Sequence, residues 1–202
     1  MKPYIFFLLP LLLLAGAGEP APDLYVLSGE YTVTIDGTSN LRDWKENVGH
    51  VSGAVEAEVN PDGSIGLNAI RIDMNVLSIK SDMGRVMDNK TYEALKANVH
   101  PEILFTLAAP LQLIPVRDCG TAIPVKGTLS LAGVSRPVTM LVKTFEITRG
   151  KLQFEGYENL KMTDFAVKPP TALFGTMRAA PDITIHFKTN FINQLLSNNL
   201  KN

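Results

Sequence analysis

Few side chains here are equipped for chemistry, and they are scattered. The three histidines, His50, His100 and His186, fall in different segments without the paired spacing that sets two imidazoles on one metal. His50 and His186 sit at polar positions of alternating stretches, so solvent is their expected environment. His100 precedes Pro101, where a helix must end and the chain turn. No Gly-x-Ser-x-Gly elbow and no His-Glu-x-x-His pair occurs. Asp164, between Thr163 and Phe165 in an irregular stretch, is the strongest candidate acid. A general acid or base needs a partner of separated pKa, and none is in view, so Asp164 is expected to cap a turn. Arg136 and Arg178 have the charge to hold an anionic headgroup but read as surface charges at turns. Cys119 is the single cysteine. It cannot form an internal disulfide, and its expected role is that of a tolerated loop or core thiol. The sequence thus predicts no catalytic residue, no metal site and no cofactor.

What it supplies instead is alternation. In Val125–Val142, Val125, Gly127, Leu129 and Leu131 share one side and Lys126, Thr128 and Ser130 the other. Beyond Ala132–Arg136, Val138, Met140 and Val142 resume the apolar side. Strand side chains point to opposite faces in turn, so this predicts an antiparallel hairpin with one apolar face. The pattern recurs along most of the chain. Leu24–Ile35 is an expected strand, with a turn at Asp36–Asn40. Trp44, the only tryptophan, is expected in the core. Val48–Val59 reads as one strand, joined through Asn60-Pro61-Asp62-Gly63 to Ile65–Leu77. That last strand changes phase near Ala69, the signature of a β-bulge.

Ser81–Asn98 breaks the alternation. Met83, Met87, Ala94 and Leu95 have near-helical spacing, and Asp88 or Asn89 is the expected cap of a short helix through Tyr92–Lys96. Such a helix serves either as a lid over the sheet or as a plain amphipathic connection. Strands follow at Glu102–Ala109, through the hairpin, at Leu152–Gly156 and from Ile183 to Phe187. Lys161–Thr176 is an apolar loop whose Pro169-Pro170 forbids a central strand, and Phe191–Asn202 is expected as a frayed helix or tail. The count is about eight strands with one helical insertion.

The bounds agree. A chain of 202 residues with 46% apolar content can bury a substantial core, and a net charge of −1 argues against nucleic acid as a partner. Lys2, the apolar run Ile5–Leu14 and the small-x-small Ala15-Gly16-Ala17 predict a signal peptide over residues 1–17. One domain over residues 18–202 is then expected, exported to a periplasm or secreted. It would not be lipid-anchored, because Cys119 lies far from the cleavage site.

Three stretches together resemble the YceI-like family of exported bacterial lipid-binding proteins: Met87–Phe105 (MDNKTYEALKANVHPEILF), Val125–Val138 (VKGTLSLAGVSRPV) and Lys161–Gly175 (KMTDFAVKPPTALFG). The closing Asp182–Phe187 (DITIHF) also fits, and the order is the family's. The resemblance implies an extended lipocalin-like, eight-stranded antiparallel β-barrel with a short helical insertion, holding a long isoprenoid chain. It transfers no catalytic set.

On that reading the expected ligand-binding residues are Val51, Val55, Ile72, Met74, Leu129, Leu131, Met140, Val142, Phe154, Phe165, Leu173, Phe174, Ile183, Ile185 and Phe187. Burying ten methylenes contributes about 8 kcal/mol before ordering costs, roughly micromolar binding with no polar anchor. The expected partner is therefore a small apolar lipid, a polyisoprenoid or isoprenoid quinone, carried rather than turned over. Transient membrane contact and dimerisation through a strand edge or the helical insertion are compatible with the sequence, and no residue argues for either. Two rival readings are a filled-core structural or interaction module and an enzyme acting on a lipid.

Overall fold

A computed structural model describes residues 22–61, 64–114 and 122–199. The expected signal peptide, Cys119 and the Asp62-Gly63 corner lie outside the described residues. In chain order the strands are β1 (Asp23–Ser39), β2 (Trp44–Val48), β3 (Val51–Val59), β4 (Ile65–Asn75), β5 (Ile79–Ser81), β6 (Glu102–Leu107), β7 (Leu111–Ile114), β8 (Ile123–Leu131), β9 (Val134–Ile147), β10 (Lys151–Lys161), β11 (Thr171–Ala172) and β12 (Met177–Asn193). The helices are α1 (Arg85–Ala94) and α2 (Gln194–Asn199).

Eight of the strands form a closed antiparallel barrel in the order β1-β3-β4-β6-β8-β9-β10-β12, with β12 returning to β1. Closure removes the open edges that a sheet of this size would otherwise expose. Around it, β2 and β5 continue the sheet beside the second half of β1, β7 pairs with β4, and β11 pairs with β12.

Local sequence explains the bends. Ala132 and Gly133 both adopt left-handed φ, 51° and 85°, which gives the two-residue turn whose twist matches the flanking strands. The register Val125↔Met140, Gly127↔Val138, Leu131↔Val134 then sets the apolar faces together. The phase change in β4 is a bulge: Glu56 pairs with Ala69 and Ala57 with Leu67, leaving Asn68 as the extra residue.

Four expectations are corrected. β1 runs straight through the Asp36–Ser39 turn signal, because Gly37 pairs with Trp44 and the indole lies flat on it; a Cβ there would meet Trp44 Cζ2 at 2.2 Å. The expected strand Val48–Val59 is divided at Gly49-His50. The Tyr31 hydroxyl bridges the break, donating to the Gly49 carbonyl and accepting from the Val51 N–H, each at 3.0 Å. α1 starts earlier than a cap at Asp88 or Asn89 would allow. It follows Gly84 (φ 86°), and the buried Asp88 carboxylate accepts the Ser81 N–H at 2.8 Å, tying the helix to β5. Phe191–Asn193 belong to β12, because β10 and β1 extend far enough to pair with them; only Gln194–Asn199 turn helical.

The Phe105 ring rests on Gly127, so closely that a Cβ would stand 2.1 Å from Cε2 and 2.6 Å from the Thr106 carbonyl. Gly127→Ala is expected to lower stability by about 1–3 kcal/mol, as overpacked cores do. Gly66→Ala, on a strand with open space around it, should stay within about 0.5 kcal/mol of wild type. Urea unfolding of the two variants checks the difference.

Candidate functional site: two apolar chambers

The barrel interior is not filled. Two cavities occupy it, one enclosing about 1080 Å³ of space outside atoms, counted with its open side, and the other about 950 Å³. The space inside them that a water molecule could enter is about 100 and 110 Å³, and the lining of both is almost wholly apolar. A lining of this kind suits a hydrocarbon chain. Val33, Met74 and Ile185 line both cavities and mark where the two adjoin, here called the waist.

The first chamber lies between the α1 side and the Lys161–Met177 connection. Met83, Met87, Ala94 and Leu95 close it from the helical insertion, so α1 is a cover, and Met162, Phe165 and Val167 close it from the short helical turn after β10. Leu131 and Ile183 complete it from the barrel wall. The second chamber is framed by Val51 and Val55 of β3, Ile72 of β4, Leu129 of β8, Met140 and Val142 of β9, Phe154 of β10 and Phe187 of β12. Met74 and Ile185 stand at the waist. Thirteen of the expected lining residues therefore face one chamber or the other.

Two do not join them. Phe174 is fully exposed: it takes a left-handed φ of 56° between β11 and β12, and that turn throws its ring into solvent. The side chain of Leu173 lies outside the described residues. Sequence reasoning also missed lining residues. Phe105 and Phe191 enter the second chamber and Trp44, Met162 and Met177 the first. Phe191 continues the series Ile183, Ile185, Phe187 past Thr189, a signal hidden by reading it as tail.

The most informative omissions are two glutamates. Glu46 alternates with Trp44 and Val48 on β2 and so points inward into the first chamber; it is 5% exposed. Thr91 Oγ1 of α1 donates to Glu46 Oε1 at 2.5 Å. Glu158 follows Gly156 on the inward face of β10 and lines the second chamber. It stands just past Tyr157↔Leu141, the last pair joining β9 and β10, and accepts the Thr139 N–H that the parted ladder leaves over. Burial pushes both carboxyls above the usual carboxylate range. For Glu46, the Thr91 hydrogen bond opposes that shift and nearby Asp88 and Asp82 add to it; for Glu158, the Thr139 N–H opposes it.

The other reactive candidates stay outside. His50 and His186 are exposed, and His186 Nε2 lies 3.4 Å from Asp36. His100 packs against Gly133. Among the described residues no cluster of three metal-ligating side chains exists. Asp164 is exposed and borders an open depression with Asp36, Asp43, Asp82 and Asp182, not an apolar chamber. Arg136 donates to the Asp164 carbonyl at 3.1 Å, joining β9 to the turn after β10, and Arg178 donates to the Gly175 carbonyl at 3.2 Å.

The Glu46 shift has a sign that can be measured. A carboxyl whose pKa is raised by folding contributes stability that is complete below its unfolded value and lost as pH rises through its folded value. Glu46→Gln, which keeps the shape and an acceptor for Thr91, should therefore be more stable than wild type at pH 7. The difference should shrink as pH falls towards 4. Denaturant unfolding at several pH values gives the curve; a difference that grows on acidification would contradict the assignment.

No curated protein sequence matches this chain. Burkholderia cenocepacia BcnA superposes with a TM-score of 0.59 at 19% identity, over 79% of this chain and 95% of that one. A polyisoprenoid-binding domain from Saccharophagus degradans, implicated in plant cell wall breakdown, gives 0.63 at 9% identity over 85% and 99%. A Campylobacter jejuni YceI protein gives 0.56 at 18% identity over 72% and 82%. At these identities the likeness is one of fold. The model of the YceI-like domain matches residues 30–191, most of the chain and at least part of every strand of the closed barrel, and on that match the protein belongs to the YceI-like family.

Proposed function

We propose that the protein binds a long apolar chain, of the polyisoprenoid or isoprenoid-quinone kind, inside the barrel and carries or stores it without turnover. The observation that carries this is the pair of apolar chambers inside one barrel, with Val33, Met74 and Ile185 lining both. A chain in them exchanges water for Val, Ile, Leu, Met and Phe side chains, at about 0.8 kcal/mol per methylene. The methionines Met74, Met83, Met87, Met140 and Met162 give a lining that adapts to its guest. The polyisoprenoid-binding domain of Saccharophagus degradans, similar in fold, supports the same class of ligand here.

Binding without turnover is supported by the place of Asp164. Asp164, the acid an enzyme reading requires, lies outside both chambers. A filled-core module is disfavoured by the voids themselves. The reading includes export, supported by the Ile5–Leu14 run and Ala15-Gly16-Ala17.

Blocking the waist tests it. Met74→Trp should weaken a C40 isoprenoid by at least about tenfold while changing a C10 isoprenoid by less than about threefold, because only the longer chain must occupy both chambers. Fluorescence displacement titrations, with circular dichroism to verify folding, supply the numbers. Equal loss for both lengths, or loss for neither, would contradict a single continuous binding slot.

A further inference from the structure

The ionisable groups that line the two chambers are of one sign. Among the described residues, no lysine, arginine or histidine lines either one; the ionisable lining groups are Glu46 and Glu158. The open depression beside the first chamber repeats the bias. It shares Trp44, Leu160 and Ile183 with that chamber and carries five aspartates, Asp36, Asp43, Asp82, Asp164 and Asp182, against Lys45 and Lys161. A diphosphate or fatty-acid head would meet net negative charge beside the chamber and again inside, where low dielectric strengthens repulsion.

Polar capacity is nevertheless present at one place. In the first chamber Glu46, Ser81 and Thr91 are the hydrogen-bonding side chains amid an otherwise apolar lining, apart from the Trp44 indole N–H, which is engaged by the Thr38 carbonyl at 3.0 Å. Thr91 engages Glu46 Oε1, and Oε2 takes no described partner. A carboxyl in this position accepts a hydrogen bond when ionised and donates one when protonated. A hydroxyl is the small uncharged group that satisfies either state, since it both donates and accepts.

We infer that the cargo is a lipid alcohol, an isoprenol or a quinol, whose hydroxyl head is held in the first chamber by Glu46 and Thr91, and that the protein discriminates against anionic lipids of equal chain length. This rests on the carrier reading above and specifies its head group. Each part has a cause. Apolar lining supplies affinity for the chain without regard to the head. The Glu46–Thr91 pair rewards a hydroxyl, and the surrounding carboxylates reject an anion. Because Thr91 lies on α1, the head would also sit against the cover, so loading and the seating of α1 are linked through one residue.

Three C20 probes separate the contributions: geranylgeraniol, geranylgeranyl diphosphate and the hydrocarbon phytane, each displacing the uncharged dye N-phenyl-1-naphthylamine. Wild type should bind the alcohol at least about tenfold more tightly than the diphosphate and several-fold more tightly than the hydrocarbon. Raising ionic strength should narrow the gap to the diphosphate, because the aspartates of the depression are screened. Glu46→Gln, matched in volume, should improve diphosphate binding several-fold and leave phytane unchanged. Glu46→Leu combined with Thr91→Val should bring the alcohol to within about threefold of phytane.

Diphosphate binding as tight as alcohol binding in wild type would overturn the inference while leaving the carrier reading intact. So would a Glu46→Gln protein that binds the dye normally with an unchanged alcohol-to-diphosphate ratio. If wild type takes up neither the dye nor any of the three probes, the carrier reading itself falls, and this inference with it.

Discussion

Closure of the sheet between β1 and β12 is the constraint on which the rest depends. The two longest strands run antiparallel from Tyr25↔Asn193 to Ser39↔Ala179, interrupted by bulges where the wall must curve. Once they are joined, every apolar face on the eight strands turns towards the same axis. An eight-stranded barrel has an interior that side chains can just fill, so its content depends on their size. Here the inward rows use Val, Ile, Leu, Met and Phe, with Gly127 and Gly156 where larger residues would meet Phe105 and Phe187. The voids therefore follow from side-chain choice within a fixed frame.

Covering the frame requires chain from outside the eight strands. β2 and β5 lengthen the wall beyond β1, α1 lies across the first chamber, and the Met162–Phe165 turn closes another side. These additions carry Met83, Met87 and Met162 and the Glu46–Thr91 contact. The second chamber is built from the barrel strands themselves. One part of the interior is thus defined by regular pairing and the other by a cover that sits on it, held by Asp88 to the Ser81 N–H and by Tyr92 to the Leu77 and Ile79 carbonyls. Local opening is expected where fewer strand bonds hold the chain, on the α1 side.

Much of this was legible beforehand because alternation in a half-buried strand is dictated by geometry. The β8–β9 hairpin, the bulge in β4 and the inward residues carried by the strands follow from period-two patterning. What stayed hidden had specific causes. Glu46 and Glu158 occupy inward positions but are charged, and patterning assigns charge to the wet face; only the phase of Trp44-Glu46-Val48 and Gly156-Glu158-Leu160 shows otherwise. Asp36-Gly37 looked like a turn because nothing local reveals that the Trp44 ring will cover Gly37. Phe174 looked like lining because hydrophobicity does not report that its backbone will turn left-handed.

The central claim is that the chambers exist to hold a chain. Organic extraction of the mature protein purified from its natural host, followed by mass spectrometry, tests it most directly. The account predicts close to one long-chain isoprenoid per protein, released on unfolding. Protein that yields no such lipid, and takes up none when loaded in detergent, would contradict it.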